Sequence, residues 1–206
     1  HWEKLFLPAD TPGQEPAFRE QERRFFQIGS RYIACPVKSG LMTIDQKRAH
    51  ERILFEKILE NKGSANASQA VLFPVKISLN PADLFVIKEI EEDLLKIGIK
   101  FRLAGPGKII ITGLPAGLNI TDAGSMLDQF LEEYKSTTTD PSTGVKDRVA
   151  AAMAAASSVP YGRVLFKNEM EDLFDALFAC TSPNYSPGGK PVIHILTLDE
   201  IEQRFK

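Results

Sequence analysis

The sequence predicts an α/β (α+β) chain folded as two lobes, one built from both chain ends and one inserted between them. Three observations carry this reading. Strand hairpin patterns and 3.6-residue helical patterns alternate along the chain after a first stretch rich in proline and charge. The middle of the chain reads strand, helix, strand, strand, helix, which is enough to bury a core of its own. Two polar stretches, 63–68 (GSANAS) and 136–144 (STTTDPSTG), stand on either side of that middle as joints. The expected layout is a linker end over 1–24, one lobe from 25–68 with 145–206, and an outer lobe over 69–144.

Taken in order, residues 1–24 hold Pro8, Pro12, Gly13 and Pro16 and then a charged run from Arg19 to Arg24. The chain opens on His1, so an excised fragment is expected. Residues 25–37 read as one strand, Lys38-Ser39-Gly40 as a turn and Leu41–Ile44 as the returning strand. Asp45 stands where a helix N-cap belongs, and Leu54, Ile58 and Leu59 recur at helical spacing until Gly63. Ala70–Leu79 reads as a strand that Pro74 restricts to an edge or a bulge. Asn80-Pro81 is a cap followed by proline at the first helical position, and Leu84, Ile87, Ile90, Leu94 and Ile97 form an apolar stripe that Gly98 stops. Ile99–Ala104 and Lys108–Thr112 flank Gly105-Pro106-Gly107 as a second hairpin. Thr121 is the expected cap of a helix that turns Met126, Leu127, Phe130, Leu131 and Tyr134 inward. Val145–Ser157 is an alanine-rich helix, small enough in side chain to pack closely on a neighbour. A helix from Asn168 to about Cys180, a Pro/Gly/Ser loop over 182–191, a short buried strand Val192–Leu196 and a terminal helix Leu198–Lys206 follow.

Composition narrows the function classes. The 206 residues are 43% hydrophobic and 25% charged, so a core forms without staples. Cys35 and Cys180 sit in no CxxC or Cys/His cluster, which leaves free thiols in a reducing compartment. A net charge of −2 speaks against a domain that grips phosphate backbone over most of its surface, so any DNA contact is local. No run approaches the ~20 apolar residues of a membrane span, and no signal-peptide pattern appears. A cytoplasmic protein without membrane contact is the expectation.

The most specific motif is Asp45-Gln46-Lys47-Arg48-Ala49-His50-Glu51-Arg52-Ile53-Leu54-Phe55-Glu56. It resembles the C-terminal domain of the MutL family of DNA mismatch repair proteins. Nuclease-active members of that family carry D-Q-H-A-x-x-E-x-x-x-x-E here, and Asp45, Gln46, Glu51 and Glu56 match. Two further segments agree in order. Gln69-Ala70-Val71-Leu72-Phe73-Pro74 resembles the family's clamp-binding segment, and Ser186-Pro187-Gly188-Gly189-Lys190-Pro191 resembles its C-P-H-G-R-P. The resemblance runs from about Phe25 to the end. It implies a two-lobed dimerisation domain, joined to an N-terminal ATPase of the GHKL type. ATP and Mg are expected in that upstream region, and no cofactor is expected in this fragment. The implied partners are a second copy, the sliding clamp, the mismatch-recognition protein MutS and, weakly, DNA.

The same comparison marks where a nuclease centre is degenerate. Lys47 stands where nuclease-active members hold a metal-binding histidine, on the same helix side as Glu51. Its ammonium has no lone pair to give and repels a cation by about 4 kcal/mol at ~4 Å in an effective dielectric of ~20. Pairing with Glu51 across one turn, worth ~0.3 kcal/mol, is the expected role. Arg48 adds a second positive charge. Ser186 and Gly188 replace the family's thiolate and imidazole donors, and the helix around Met153 has no cysteine. The expectation is no catalytic residue and no metal at the degenerate positions Asp45, Gln46, Lys47, Glu51, Glu56, Ser186 and Gly188. The competing reading is a nicking endonuclease built on Asp45, Glu51 and Glu56.

Bland roles are expected elsewhere. Asp45 reads as an N-cap, His50 as a surface or capping residue and His194 as a structural residue pointing away from Ile193 and Ile195. Gln69, Val71, Leu72, Phe73 and Pro74 have two open readings: strand core, or an exposed apolar tip that enters a pocket on the clamp. Arg23, Arg24, Lys47, Arg48 and Arg52 read as a solvated face or as a small basic patch, the former being commoner.

Overall fold

Residues 25–37 form two strands rather than one. In a computed structural model that describes residues 24–60, 68–116, 118, 122–136 and 144–206, Gly29 and Ser30 take φ values of 57° and 49° and turn the chain back on itself. Two consecutive left-handed residues suit a tight hairpin, and a Gly-Ser pair inside an apolar run is a weak signal for one. The elements are β1 (Phe26–Ile28), β2 (Tyr32–Val37), β3 (Gly40–Asp45), α1 (Gln46–Glu60), β4 (Ser68–Ser78), α2 (Pro81–Glu89), α3 (Glu91–Lys96), β5 (Lys100–Leu103), β6 (Lys108–Pro115), α4 (Ala123–Ser136), α5 (Val145–Ser157), α6 (Lys167–Phe178), β7 (Ile193–Thr197) and α7 (Leu198–Gln203). The mixed α/β class is the one the periodicities predict.

Two antiparallel sheets organise these elements. The first has the order β1-β2-β3-β7 and so joins both chain ends; the second, β4-β6-β5, comes from the middle. Gly40 is needed where β3 meets β7, because a Cβ there would run into the Leu196 carbonyl. β7 is shifted by one residue from the expected strand and is not buried: His194, Ile195 and Leu196 are exposed, because the strand lies at the sheet edge. β4 is an edge strand, and its register with β6 slips between Ala70 and Val75, where Pro74 sits. Pro74 thus occupies both of the settings that proline tolerates in a sheet.

Local chemistry explains the starts of α2 and α4. Asn80 caps α2 by accepting from the Asp83 N–H at 2.8 Å, with Pro81 after it. The following stripe spans a break at Ile90, yet Ile87, Ile90, Leu94 and Ile97 are all buried. Thr121 lies outside the described residues, as do Gly63, most of the 63–68 joint, most of the 136–144 loop and residues 1–23. The cap acceptor seen at α4 is Asp122, which takes the Gly124 and Ser125 N–H groups at 2.9 and 3.3 Å. Met126, Leu127, Phe130, Leu131 and Tyr134 all turn inward as their spacing requires.

Two apolar cores meet along α1. Leu54 and Ile58 join one, with Ile87, Leu94, Ile109, Ile111, Phe130 and the α5 residues Val149, Ala150 and Met153. Ala49 and Ile53 join the other, with Ile33, Ile44, Met170, Leu173, Leu177 and Val192. The alanines of α5 let its backbone lie close against α1 and α4, so α5 shares its core with the middle of the chain. Among the described residues no helix is long and apolar enough to cross a membrane.

Candidate functional site

The motif region begins with a helix cap. Asp45 ends β3, and its Oδ1 accepts from the backbone N–H groups of Lys47 and Arg48, both at 3.1 Å. Its Oδ2 accepts from the Tyr161 hydroxyl at 3.0 Å and lies 3.6 Å from the Arg48 guanidinium. The carboxylate is therefore spent on the start of α1, as its position in the sequence predicts. Burial, together with the hydrogen bond to Asp45, raises the Tyr161 pKa, so the phenol stays a neutral donor. The Arg31 guanidinium stacks 4.2 Å over the Tyr161 ring.

One turn along α1, Lys47 and Glu51 pair at 3.8 Å, the contact expected from their spacing. Lys47, Glu51, Ser186 and Gly188 line one cleft of about 480 Å³, together with Arg148, Tyr161, Glu133 and Lys190. The fold thus unites four of the seven positions drawn from two distant motifs. Burial raises the Glu51 pKa, Lys47 opposes that, and Glu133 and Asp45 add to it. Ser186 closes its own turn: its N–H donates to the Lys190 carbonyl at 2.8 Å, and its Oγ accepts from the Lys190 N–H at 3.2 Å.

Gln46 and Glu56 point elsewhere. Gln46 is fully buried, donating to the Arg163 carbonyl at 3.1 Å and accepting from Gln27 at 2.6 Å. Glu56 accepts from the Thr181 and Ser182 N–H groups at 2.7 and 3.3 Å and pairs with Arg52 at 3.5 Å. The motif's last acid thus pins the loop after α6. Among the described residues no three His, Cys, Asp or Glu side chains converge as a metal site. The donors in the cleft do not fit a divalent ion, since its carboxylates stand among Lys47, Arg48, Arg148 and Lys190.

His50 is neither a surface nor a helix-capping residue; it holds the loop that follows α5. Its Nδ1 accepts from the Val159 N–H at 3.0 Å, and burial, helped by Lys57 and Arg163, lowers its pKa to about 4. His194 faces solvent on β7, opposite Thr43. Arg48 and Arg52 are held by Asp45 and Glu56 and by the carbonyls of Pro191 and Tyr185, so with Lys47 they do not form an open patch. Arg23 lies outside the described residues. At the β4 bulge Val71 packs against the core, whereas Leu72 is 91% exposed and Phe73 84% exposed. Tyr161, Arg148, Glu133 and Lys190 escaped the sequence reading. Tyr161 sits in a Pro-Tyr-Gly loop with no period to flag it, and the other three read only as ordinary charged residues.

Comparison with known proteins bears on this arrangement. The profile of the MutL C terminal dimerisation domain family matches residues 25–165. A protein named DNA mismatch repair protein MutL from Parabacteroides distasonis is 35% identical over 201 residues, 97% of this chain and 33% of that protein. Its namesake from Chlorobaculum tepidum is 34% identical over 96% of this chain and 32% of that protein, and the one from Flavobacterium johnsoniae 30% over 99% and 35%. The chain spans about a third of the length of these relatives. With a family match over most of its length, joined to a cap, a cleft and a bulged edge strand at the motif positions, the chain belongs to the MutL C-terminal dimerisation domain family.

Proposed function

We propose that this chain is the homodimerisation and partner-docking domain of a MutL DNA mismatch repair protein and has no endonuclease activity. One observation carries the dimer. By alternation along paired strands, Phe26, Ile28, Tyr32, Leu41 and Leu196 share the outer face of the β1-β2-β3-β7 sheet, opposite the face that buries Ile33 and Ile44. Phe26, Ile28, Tyr32 and Leu196 are exposed there. Such a face, in a family named for dimerisation, calls for a second copy related by a two-fold axis. Sedimentation velocity at micromolar concentration is expected to give twice the monomer mass; a monomer would remove this reading.

The two lobes divide the work. The lobe from 25–68 and 158–206 holds the sheet that self-associates, and the lobe over 69–144, with α5 packed into its core, carries the docking tip around Gln69, Val71, Leu72, Phe73 and Pro74. The sliding clamp is the partner for that tip, and the mismatch-recognition protein MutS acts with the assembled dimer. ATP and Mg belong to a GHKL-type ATPase elsewhere in the protein, and no cofactor is assigned to this chain. The absence of nuclease chemistry is supported by Lys47 paired to Glu51 and by Asp45 and Glu56 committed to backbone N–H groups. Plasmid nicking with Mn²⁺ or Mg²⁺ is expected to equal that of Glu51→Ala. Metal-dependent nicking lost in that variant would establish the endonuclease reading at Asp45, Glu51 and Glu56 instead.

A further inference from the structure

The chain carries a net charge of −2, yet its second sheet is charged on one side only. β4, β5 and β6 contain no aspartate or glutamate, and their basic residues are Lys76, Lys100, Arg102 and Lys108. Strand pairing puts these four on one face. Lys76 and Arg102 both stand level with Ile110, and Lys108 stands level with Ser78, two residues beyond Lys76 on β4. Lys100 joins them across the β5–β6 irregularity, since its side chain lies against the position of a Cβ on Gly113 while neighbouring Leu114 is buried in the core. The opposite face, with Ile77, Ile109 and Ile111, packs on the helices.

All four cations are exposed, and among the described residues none of them makes an ion pair. Strand rise and spacing place them within a patch of about 14 by 10 Å. Duplex DNA carries one negative charge per ~1.7 Å of axis, so a patch of that length meets enough phosphates on the facing side to engage every cation. The strands' side chains between the cations on this face are Ser78, Ile110 and Thr112, with no aromatic ring for a base to stack on.

We infer that the outer face of the β4-β6-β5 sheet is a docking surface for the phosphate backbone of duplex nucleic acid, held by Lys76, Lys100, Arg102 and Lys108. It reads charge and shape rather than sequence, because contacts to phosphate carry no base information. This deepens the mismatch-repair reading and rests on it. It also places DNA on the same lobe as the exposed Leu72–Phe73 tip.

Fluorescence anisotropy of the chain with a labelled duplex of about 20 base pairs, from 50 to 200 mM NaCl, tests the inference. The expected slope of log K against log salt is about −3 to −4, one counterion for each cation. Lys76→Glu with Arg102→Glu is expected to halve the slope and to weaken binding at least about tenfold at 50 mM salt. The milder Lys76→Gln with Arg102→Gln is expected to fall between. Lys88→Glu with Lys146→Glu makes the same charge change on α2 and α5 and is expected to leave the slope unchanged. Absence of duplex binding by the unaltered chain, equal losses in both Glu pairs, tighter binding to a single strand, or binding only to anionic lipid vesicles would each overturn it. None of these variants touches the apolar face of the first sheet or Glu51, so sedimentation and nicking report separately on the underlying reading.

Discussion

Replacing Gln69 and Phe73 together by alanine is expected to cost at least about 30-fold in affinity for the cognate sliding clamp. An apolar anchor that fills a partner's pocket is worth about 2 kcal/mol or more, and 1.4 kcal/mol is a factor of ten. Phe73 is 84% exposed beside Leu72 on a bulge that lifts both away from the strand ladder. Little of its ring is buried within the chain, so the fold should keep its stability to within about 0.5 kcal/mol. Titration of the clamp, alongside urea unfolding of both proteins, checks both halves. Unchanged affinity would leave this segment a purely structural bulge.

Acidification from pH 7 to pH 4 is expected to remove about 3 kcal/mol of stability through His50 alone. The sign follows from the direction of its shift. Burial, then Lys57 and Arg163, lowers the folded-state pKa from 6.5 to about 4, and the Nδ1 lone pair is already used by the Val159 N–H. Below pH 6.5 the unfolded chain takes up a proton that the folded chain refuses until about pH 4. The contribution is complete above that window and is lost as pH falls through it. Glu51 acts with the opposite sign, because its raised pKa favours the folded state while protonated and loses that advantage as pH rises. The readout is therefore the difference between the unaltered chain and His50→Gln, whose amide oxygen can still accept from Val159. Urea midpoints at pH 7 and pH 4.5 should converge in the variant. An unaltered pH dependence would mean that His50 is not the buried neutral group described.

Much of this protein was legible residue by residue. α5 runs over Val145–Ser157 as its composition predicts, α4 buries the five residues its spacing selects, and Asp45 and Asn80 cap the helices they precede. Each of these depends on neighbours within a turn or two, where periodicity and side-chain chemistry act directly. The chain reversal at Gly29-Ser30 was missed because an apolar run on both sides masked a two-residue turn. The break at Ile90 has no marker in the residue types around it.

From residue order alone follow most of the elements, their inward faces, the degenerate motif and the family those motifs resemble. Packing of distant segments is what brings 45–51 and 186–190 into one cleft, turns Glu56 out of it and leaves β7 at an exposed sheet edge. Strand register likewise brings Lys76, Lys100, Arg102 and Lys108 onto one face. The difference is one of range. Helix and strand follow from contacts a few residues apart, whereas strand order, register and the approach of distant loops are set by which apolar faces bury against each other.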